Sequence, residues 1–424
     1  MVIQFSIGNY RSFNSVQTIN FRATGLVSED KTVDANNIAE VAGQRLLKTI
    51  GVYGPNASGK SNLVKGFRFF NNMVASSLEN EDFLSLFLNP NKQAIINESD
   101  DWGYFQIVLL LHGKKYRYGF TLSEDEVATE WLFGPAEKNE TYYFIRKGEN
   151  IDINGSSFSE GLNIPYDTKL RIDALFLSFC SSYNGEISSK IRDFIANKIK
   201  IEGGPKNYYL ETNSMVKDGK KEVVLKWLNE AGLLFNDIII KDFRKTYYPR
   251  EGQAPNEITS EGLVKVYKNI YNKKGEIINS VIMNLNEDES DGTQKYYSFI
   301  GKLYDKFENG GLFISDEIDS NFHPSLLQKI IGLFNNPFVN KANAQLLFTS
   351  HDTNLMSPEI MRRDQFYFTE KSATDETILY SLSDLKGIRN NADFARQYLA
   401  GYYGALPVLG NFLEETQSIE NPEK

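Results

Sequence analysis

The chain has 424 residues, with 46 Lys+Arg against 55 Asp+Glu, a formal net charge of −9, and 41% hydrophobic and 24% charged residues. That composition excludes a disordered tail, a collagen-like chain and a disulfide scaffold, and the length suggests about two or three domains at roughly 150 residues each. A single cysteine, Cys180, can form neither an intramolecular disulfide nor a thiolate metal site, which fits a reducing cytoplasmic setting. The opening MVIQFSIGNYRSF alternates apolar and polar residues and meets Arg11 before any long apolar run, so no secretory signal is expected. The longest apolar stretches, Ile107 to Leu111 and Ala174 to Phe179, are too short to cross a bilayer, and no membrane partner is expected. Net acidity argues against wrapping nucleic acid non-specifically, although a local basic patch can override it.

In chain order, Val2 to Ile7 and Ser15 to Phe21 alternate like the strands of an antiparallel hairpin, and residues 22–44 read as polar and irregular. Leu46 to Tyr53 is a largely apolar run leading into Gly54. From Ser61 a helical pattern follows, with Leu63, Val64, Phe67, Phe70, Met73 and Val74 recurring near every 3.6 residues. Residues 79–100 read as loop and a short helix. Tyr104 to Leu111, Lys115 to Leu122 and Val127 to Phe133 form a meander, with Thr141 to Arg146 adding a strand. A mostly helical middle covers about 165–235, including an amphipathic Glu186 to Lys198 and a helix from Lys221 to Leu234 that closes near Gly232. Basic, aromatic sequence at Lys241 to Arg250 precedes a β pair, Leu263 to Tyr271 and Ile277 to Leu285. From Thr293 onward helices and short buried strands alternate: Gln294 to Phe307, Leu312 to Ser315, Pro324 to Phe334, Gln345 to Thr349. The strands Phe366 to Thr369 and Thr377 to Leu382 end this α/β grammar before an acidic tail. There is neither an internal repeat nor a sustained heptad run.

Gly54-Pro55-Asn56-Ala57-Ser58-Gly59-Lys60-Ser61 satisfies G-x-x-x-x-G-K-[ST], with an apolar strand before it and a helix after it. The glycines let backbone N–H groups converge on phosphate oxygens, and the helix starting near Lys60 adds the positive end of its dipole. Lys60 is expected to reach the β- and γ-phosphates of ATP and the Ser61 hydroxyl to hold Mg2+, with Asn56, Ala57, Ser58, Gly59 and Asn62 completing the cradle. Farther on, Leu312 to Ser315 delivers Asp316 and Glu317 at the carboxyl end of a buried-type strand, where open α/β sheets place their chemistry. Asp316 suits Mg2+ through its hard oxygens, and Glu317 is placed to polarise the attacking water. His351 ends another apolar strand and can donate to a phosphate. His323, before Pro324, reads as a helix-start residue and His112 as part of a turn; three scattered histidines make no zinc cluster.

GPNASGKSN, SDEIDSNFHP at Ser315 to Pro324 and LLFTSHD at Leu346 to Asp352 resemble an ATP-binding-cassette head of the structural-maintenance and recombination-protein type. More closely, the chain resembles the compact AAA-labelled ATPases of bacterial abortive-infection (phage-defence) loci. The motifs are NYRSF at Asn9 to Phe13, YRYGF at Tyr116 to Phe120, ESDGTQK at Glu289 to Lys295, RRDQFYF at Arg362 to Phe368 and YLAGYYGALP at Tyr398 to Pro407. The resemblance implies an α/β, ABC-type (RecF/SMC-like) P-loop ATPase head with N-terminal antiparallel strands, a compact mixed α/β insertion and no long coiled coil. Its lobes would span 1–160 and 286–410, with an insertion at 161–285 and an acidic tail at 411–424. It further implies that His351 contacts the γ-phosphate and that Asp319 lies in a loop speaking across a dimer. Ser290 to Gly292 would complete the site of the opposite subunit, and Arg11 would stand near phosphate. Asp291 departs from the usual pair of small residues after the serine, so it either points away or serves a modified contact. No glutamine-loop residue is evident; Gln106 falls within a strand.

The 230 residues between Lys60 and Ser290 leave no room for a long lever and suit a lid or partner platform. Within it Lys217, Lys220, Lys221, Lys226, Lys241, Arg244, Lys245 and Arg250, with Tyr247 and Tyr248, read either as a solvated face or as a nucleic-acid surface. By resemblance, the chain is an ATP-binding and hydrolysing sensor and regulatory subunit of an anti-phage defence system. It would use an ATP-sandwiched head-to-head dimer or higher oligomer to control a separately encoded, nuclease-like effector, with a phage protein as trigger. The alternatives are a compact DNA-binding repair or recombination ATPase, with DNA as partner, and a nucleotide-binding scaffold.

Overall fold

The structure is a computed structural model that describes residues 1–79, 103–123, 125–136, 139–164, 168–202, 209–247 and 256–407, without the side chains of 242–247 and 256–261. The expected loop and short helix within 79–100, Tyr248, Arg250, the side chains of Arg244, Lys245 and Tyr247, and the acidic tail therefore lie outside it. β1 (Val2–Gly8) and β2 (Gln17–Asn20) form the expected hairpin. The stretch read as irregular instead contains α1 (Lys31–Asn37), β3 (Ile38–Val41) and the start of β4 (Gln44–Leu47). Asp30 caps α1 by accepting from the Thr32 amide, and one buried residue per turn, such as Val33, was too little for a periodic signal. The apolar run before Gly54 is interrupted at Lys48, whose buried Nζ donates to the Asn36 carbonyl (2.8 Å), so β4 ends and β5 (Thr49–Tyr53) begins.

α2 (Lys60–Ser76) follows, then the meander β6 (Gly103–Leu111), β7 (Lys114–Leu122), β8 (Val127–Pro135), β9 (Glu140–Lys147) and β10 (Asn150–Ile153). The helical middle holds α3 (Phe176–Ser182), α4 (Glu186–Asp193), α5 (Leu210–Met215) and α6 (Lys221–Glu230). It also holds β11 (Ile199–Ile201), three residues long and too short to read from periodicity. The basic, aromatic run belongs largely to β12 (Asp237–Tyr247), which pairs with β13 (Asn256–Tyr271), itself paired with β14 (Ile277–Asn284). The remainder is α7 (Leu285–Asp288), α8 (Asp291–Asn309), β15 (Leu312–Ser315), α9 (Pro324–Asn335), β16 (Gln345–Thr349), β17 (Phe366–Lys371), β18 (Thr377–Ser381) and α10 (Phe394–Leu399). Among the described residues no helix is long and apolar enough to cross a membrane.

The elements build layers around two cores. A seven-stranded antiparallel sheet runs β10-β9-β8-β7-β6-β1-β2, and a six-stranded sheet runs β11-β15-β16-β5-β17-β18, parallel except at the β18 edge. α2 lies between them: its Phe67 stacks on Phe5 of β1 (centroids 3.7 Å) and its Phe70 on Phe120 of β7 (5.4 Å). Strand alternation divides β15, sending Leu312 and Ile314 to this core and Phe313 to the second, where α8 and α9 cover the opposite face. Side chains of 176–199 bury themselves in the first core and those of 209–285 in the second.

Candidate functional site

Three adjacent parallel strands, β15, β16 and β5, end on one edge of the six-stranded sheet, and each hands over to a functional segment. After β5 comes the glycine loop. Gly54 (φ 149°) and Gly59 (φ 112°) take backbone conformations that favour glycine, and a Cβ on either would meet Thr369 O at 2.3 Å or Thr377 Oγ1 at 2.2 Å. Between them Ala57 is also left-handed (φ 63°), while Asn56 and Ala57 are exposed at the tip. Ser58 is buried and shares a hydrogen bond with Thr369 Oγ1 (2.6 Å), which fixes the loop to β17. Gly59 gives α2 no side-chain cap and the first turn carries no acid, so this helix start meets the requirements of an anion site.

Lys60 is buried, with Nζ donating to the carbonyls of Gly54 (2.7 Å) and Pro55 (2.9 Å). Burial lowers its pKa, opposed by the nearby charges of Asp316, Glu317 and Asp319. Ser61 follows, half-buried on the first turn, and Asn62 Nδ2 donates to Ser12 Oγ (2.8 Å). Through Ser12 the turn bearing Arg11 is joined to the loop. Arg11 itself is left-handed (φ 53°), half-buried, and donates from Nε to its neighbour Tyr10 (3.2 Å).

The acidic strand end is organised by Thr349, the last residue of β16. Its hydroxyl donates to Asp316 Oδ1 (2.7 Å) and accepts from the Glu317 amide (2.7 Å). Glu317 is left-handed (φ 48°) with an exposed carboxylate, strain held by that bond and by Ile318 N donating to Thr349 O (3.0 Å). Asp319 Oδ2 accepts from the His351 amide (3.2 Å), while its Oδ1 is buried without a partner. The exposed His351 has its pKa lowered, first by burial and then by the Lys60 charge, against Asp319, Glu317 and Asp316. Lys60, Asp316, Glu317, Asp319 and His351 are thus brought together. An uncapped helix start, a buried cation and hard carboxylate oxygens, one of them unpartnered, fit a polyphosphate with a divalent cation.

Ser290 and Gly292 reach this cluster only through the 317–321 turn. Ser290 caps α8 by accepting from Thr293 N (3.3 Å), and a Cβ at Gly292 would meet Asn321 O at 2.5 Å. Asp291, exposed as the first residue of α8, lines the cavity that also holds Asp316. Among the described residues, neither Ser290 nor Gly292 hydrogen-bonds to residues 54–62. Gln106 accepts from Arg117 Nη1 and Trp131 Nε1 within the antiparallel sheet, away from the cluster, and His323 caps α9 by accepting from Ser325 N.

Sequence reasoning missed Glu202. It directly follows β11 beside β15, its amide donates to Ile314 O (2.7 Å), and its carboxylate meets Ser315 Oγ (3.4 Å) and Lys302 Nζ (3.3 Å). Burial raises its pKa against Lys302 and Lys295. Glu202 and Asp316 line one cavity of 340 Å³, reaching to Asp291 and Ser320. An Ile-x-Ile-Glu step before two glycines was the available signal, visible only once β11 is recognised as a strand.

The family described as "AAA domain, putative AbiEii toxin, Type IV TA system" matches residues 50–357, nearly three quarters of the chain. No curated protein matches it. Among solved structures the chain is similar to the SMC head domain from Thermotoga maritima, at 11% identity and a TM-score of 0.40 over 90% of this chain and 98% of that one. It is also similar to an SmcHead bound to the C-winged helix domain of ScpA, at 10% identity and a TM-score of 0.42 over 91% and 99% of the two chains. A third is the Smc head domain with a coiled coil and joint derived from Pyrococcus yayanosii, at 8% identity and a TM-score of 0.43 over 95% and 99%.

Proposed function

We propose, from the premise that the chain belongs to this AAA-domain ATPase family, that it hydrolyses ATP between two heads and uses its nucleotide state to gate a separately encoded effector of a defence system. Family membership implies nucleotide binding; the residue roles are this reading's own. The observation that carries it is the common edge on which the glycine loop, the Asp316–Glu317 pair and His351 meet at the ends of three adjacent parallel strands. Lys60 and the α2 amides hold the phosphates, with Asn56, Ala57, Ser58, Gly59 and Asn62 shaping the loop. Ser61 and Asp316 hold Mg2+, which when bound supplies charge neutralisation on phosphate oxygens. Glu317 orients the attacking water and accepts its proton, and His351 donates to the terminal phosphate. Arg11 adds positive charge beside the loop. Ser290, exposed, and Gly292, half-buried, at the α8 start meet the nucleotide of the partner copy, and Asp319 lies in the turn between the two sites. In this reading 1–160 and 286–410 are the lobes of the head, 161–285 is the effector platform and 411–424 a tail.

The test is Glu317→Gln. Removing the proton acceptor should lower hydrolysis by about 10²–10⁴-fold while leaving ATP binding in place. Light scattering on the variant with Mg·ATP should then give twice the mass seen without nucleotide. An unchanged mass with no retained ATP would sink the sandwich. Purification from the native operon with and without Mg·ATP tests the gating: an effector bound equally in both conditions would count against it.

A further inference from the structure

Lys295 sits one turn into α8, and its ammonium is aimed back at the turn that follows β15. Nζ donates to Ser320 O (2.8 Å), Ser320 Oγ (2.8 Å), Glu317 O (3.2 Å) and Ile318 O (3.3 Å). Three N–H donors are thus shared among four acceptors of one short segment. The ring of Phe322 lies 4.9 Å away and closes the other side of the cation. Among the described residues, Lys295 supplies the only side-chain donor to these three carbonyls. The turn it gathers is irregular. Glu317 (φ 48°) and Asn321 (φ 65°) are both left-handed, and neither is glycine. Carbonyls 317, 318 and 320 all come within 3.3 Å of Nζ, and Glu317 O accepts in addition from the Ser320 amide (3.0 Å), so the ammonium offsets the mutual repulsion of the three carbonyl dipoles. One turn earlier on the same helix, Gly292 has no Cβ and so lets α8 approach Asn321 O.

We propose that Lys295 is a positioning residue for hydrolysis: its ammonium holds the 317–320 turn in the left-handed form that aims Glu317, and thereby ties that carboxylate to the first turns of α8. The inference rests on the reading of Glu317 as the group that orients water. It adds a mechanical link, since the helix start proposed to meet the partner's nucleotide and the turn carrying this chain's own catalytic carboxylate move as one piece. A displacement of α8 at dimer closure is then delivered to Glu317 through the Lys295 side chain, beside the backbone contact of Gly292 with Asn321.

Steady-state hydrolysis by the full chain, with ATP binding and thermal unfolding measured alongside, tests this. Lys295→Met should lower kcat by about tenfold or more with KM within about threefold, because binding groups are untouched and only orientation is lost. Lys295→Arg, which restores a cation of similar reach, should recover kcat to within about threefold of the unaltered chain. Acting through Glu317, Lys295→Met should lower the residual rate of Glu317→Gln by less than about twofold. Should Lys295→Met fold poorly, Lys295→Gln, which retains a donor without the charge, is read in the same way. A kcat within twofold of the unaltered chain in Lys295→Met or Lys295→Gln overturns the proposal. So does a loss of ATP binding and stability that Lys295→Arg fails to restore, or a fully multiplicative effect in the double variant. An unaltered chain that does not hydrolyse ATP overturns the functional reading itself, and this inference with it.

Discussion

At His351 the imidazole shares its surroundings with one cation and three carboxylates, and burial together with Lys60 outweighs the acids, lowering its pKa from 6.5. The folded chain therefore takes up this proton at a lower pH than the unfolded chain. If the neutral ring is the active form, the acid limb of kcat/KM should lie at a lower pH than an ordinary histidine would give. His351→Gln, which cannot titrate, should flatten that limb in a pH–rate profile; an unchanged limb would assign it to another group. His351, Lys60, Asp316 and Glu317 were legible because each stands in a short contiguous motif at a strand end. Glu202 and Lys295 were not, since their importance comes from strand register and from the direction of a helix face.

Among elements, the contact between α8 and the 317–321 turn decides the sign of one substitution. Glycine within a helix ordinarily costs about 1 kcal/mol relative to alanine. At Gly292 the added methyl would stand 2.5 Å from Asn321 O, a backbone atom that cannot swing aside. Overpacking of this kind costs about 1–3 kcal/mol and outweighs the propensity gain. Gly292→Ala should therefore lower the thermal midpoint and reduce hydrolysis; a stabilised variant would show that the turn gives way freely. Elements with strong local signals were readable: α2 from its 3.6-residue repeat, the meander from alternation, β15 and β16 from compact apolar runs. α1, β11 and β12 were not, because one buried residue per turn, three-residue pairing and a charged edge strand each leave no periodicity to detect.

Over the whole molecule, a buried ionic junction joins the antiparallel sheet to the helical layer. Glu130, fully buried on β8, accepts from Tyr118 OH (2.9 Å) and from the amides of Phe176 (2.7 Å) and Leu177 (2.9 Å) that begin α3. Arg146 of β9 lies 3.7 Å from it and donates to the carbonyls of Gly148 (2.7 Å) and Ala174 (2.5 Å). Glu130→Ala would leave a buried guanidinium without its counter-charge and should cost about 3–5 kcal/mol, read from denaturant unfolding. A cost under about 1 kcal/mol would mean that carbonyls alone satisfy Arg146. In the sequence Glu130 was only one member of an alternating strand, since nothing local shows which long-range partners enclose it. A different long-range consequence follows from the sheet order that flanks the glycine loop. β5 is held between β16 and β17, whose residues are made roughly 300 positions after its own. At about 5–20 residues per second, the nascent chain carries its nucleotide loop for about 15–60 s before either neighbouring strand exists. During that interval the loop lacks both strands that flank β5, so the sheet edge that braces it can close only after roughly 300 further residues have been made.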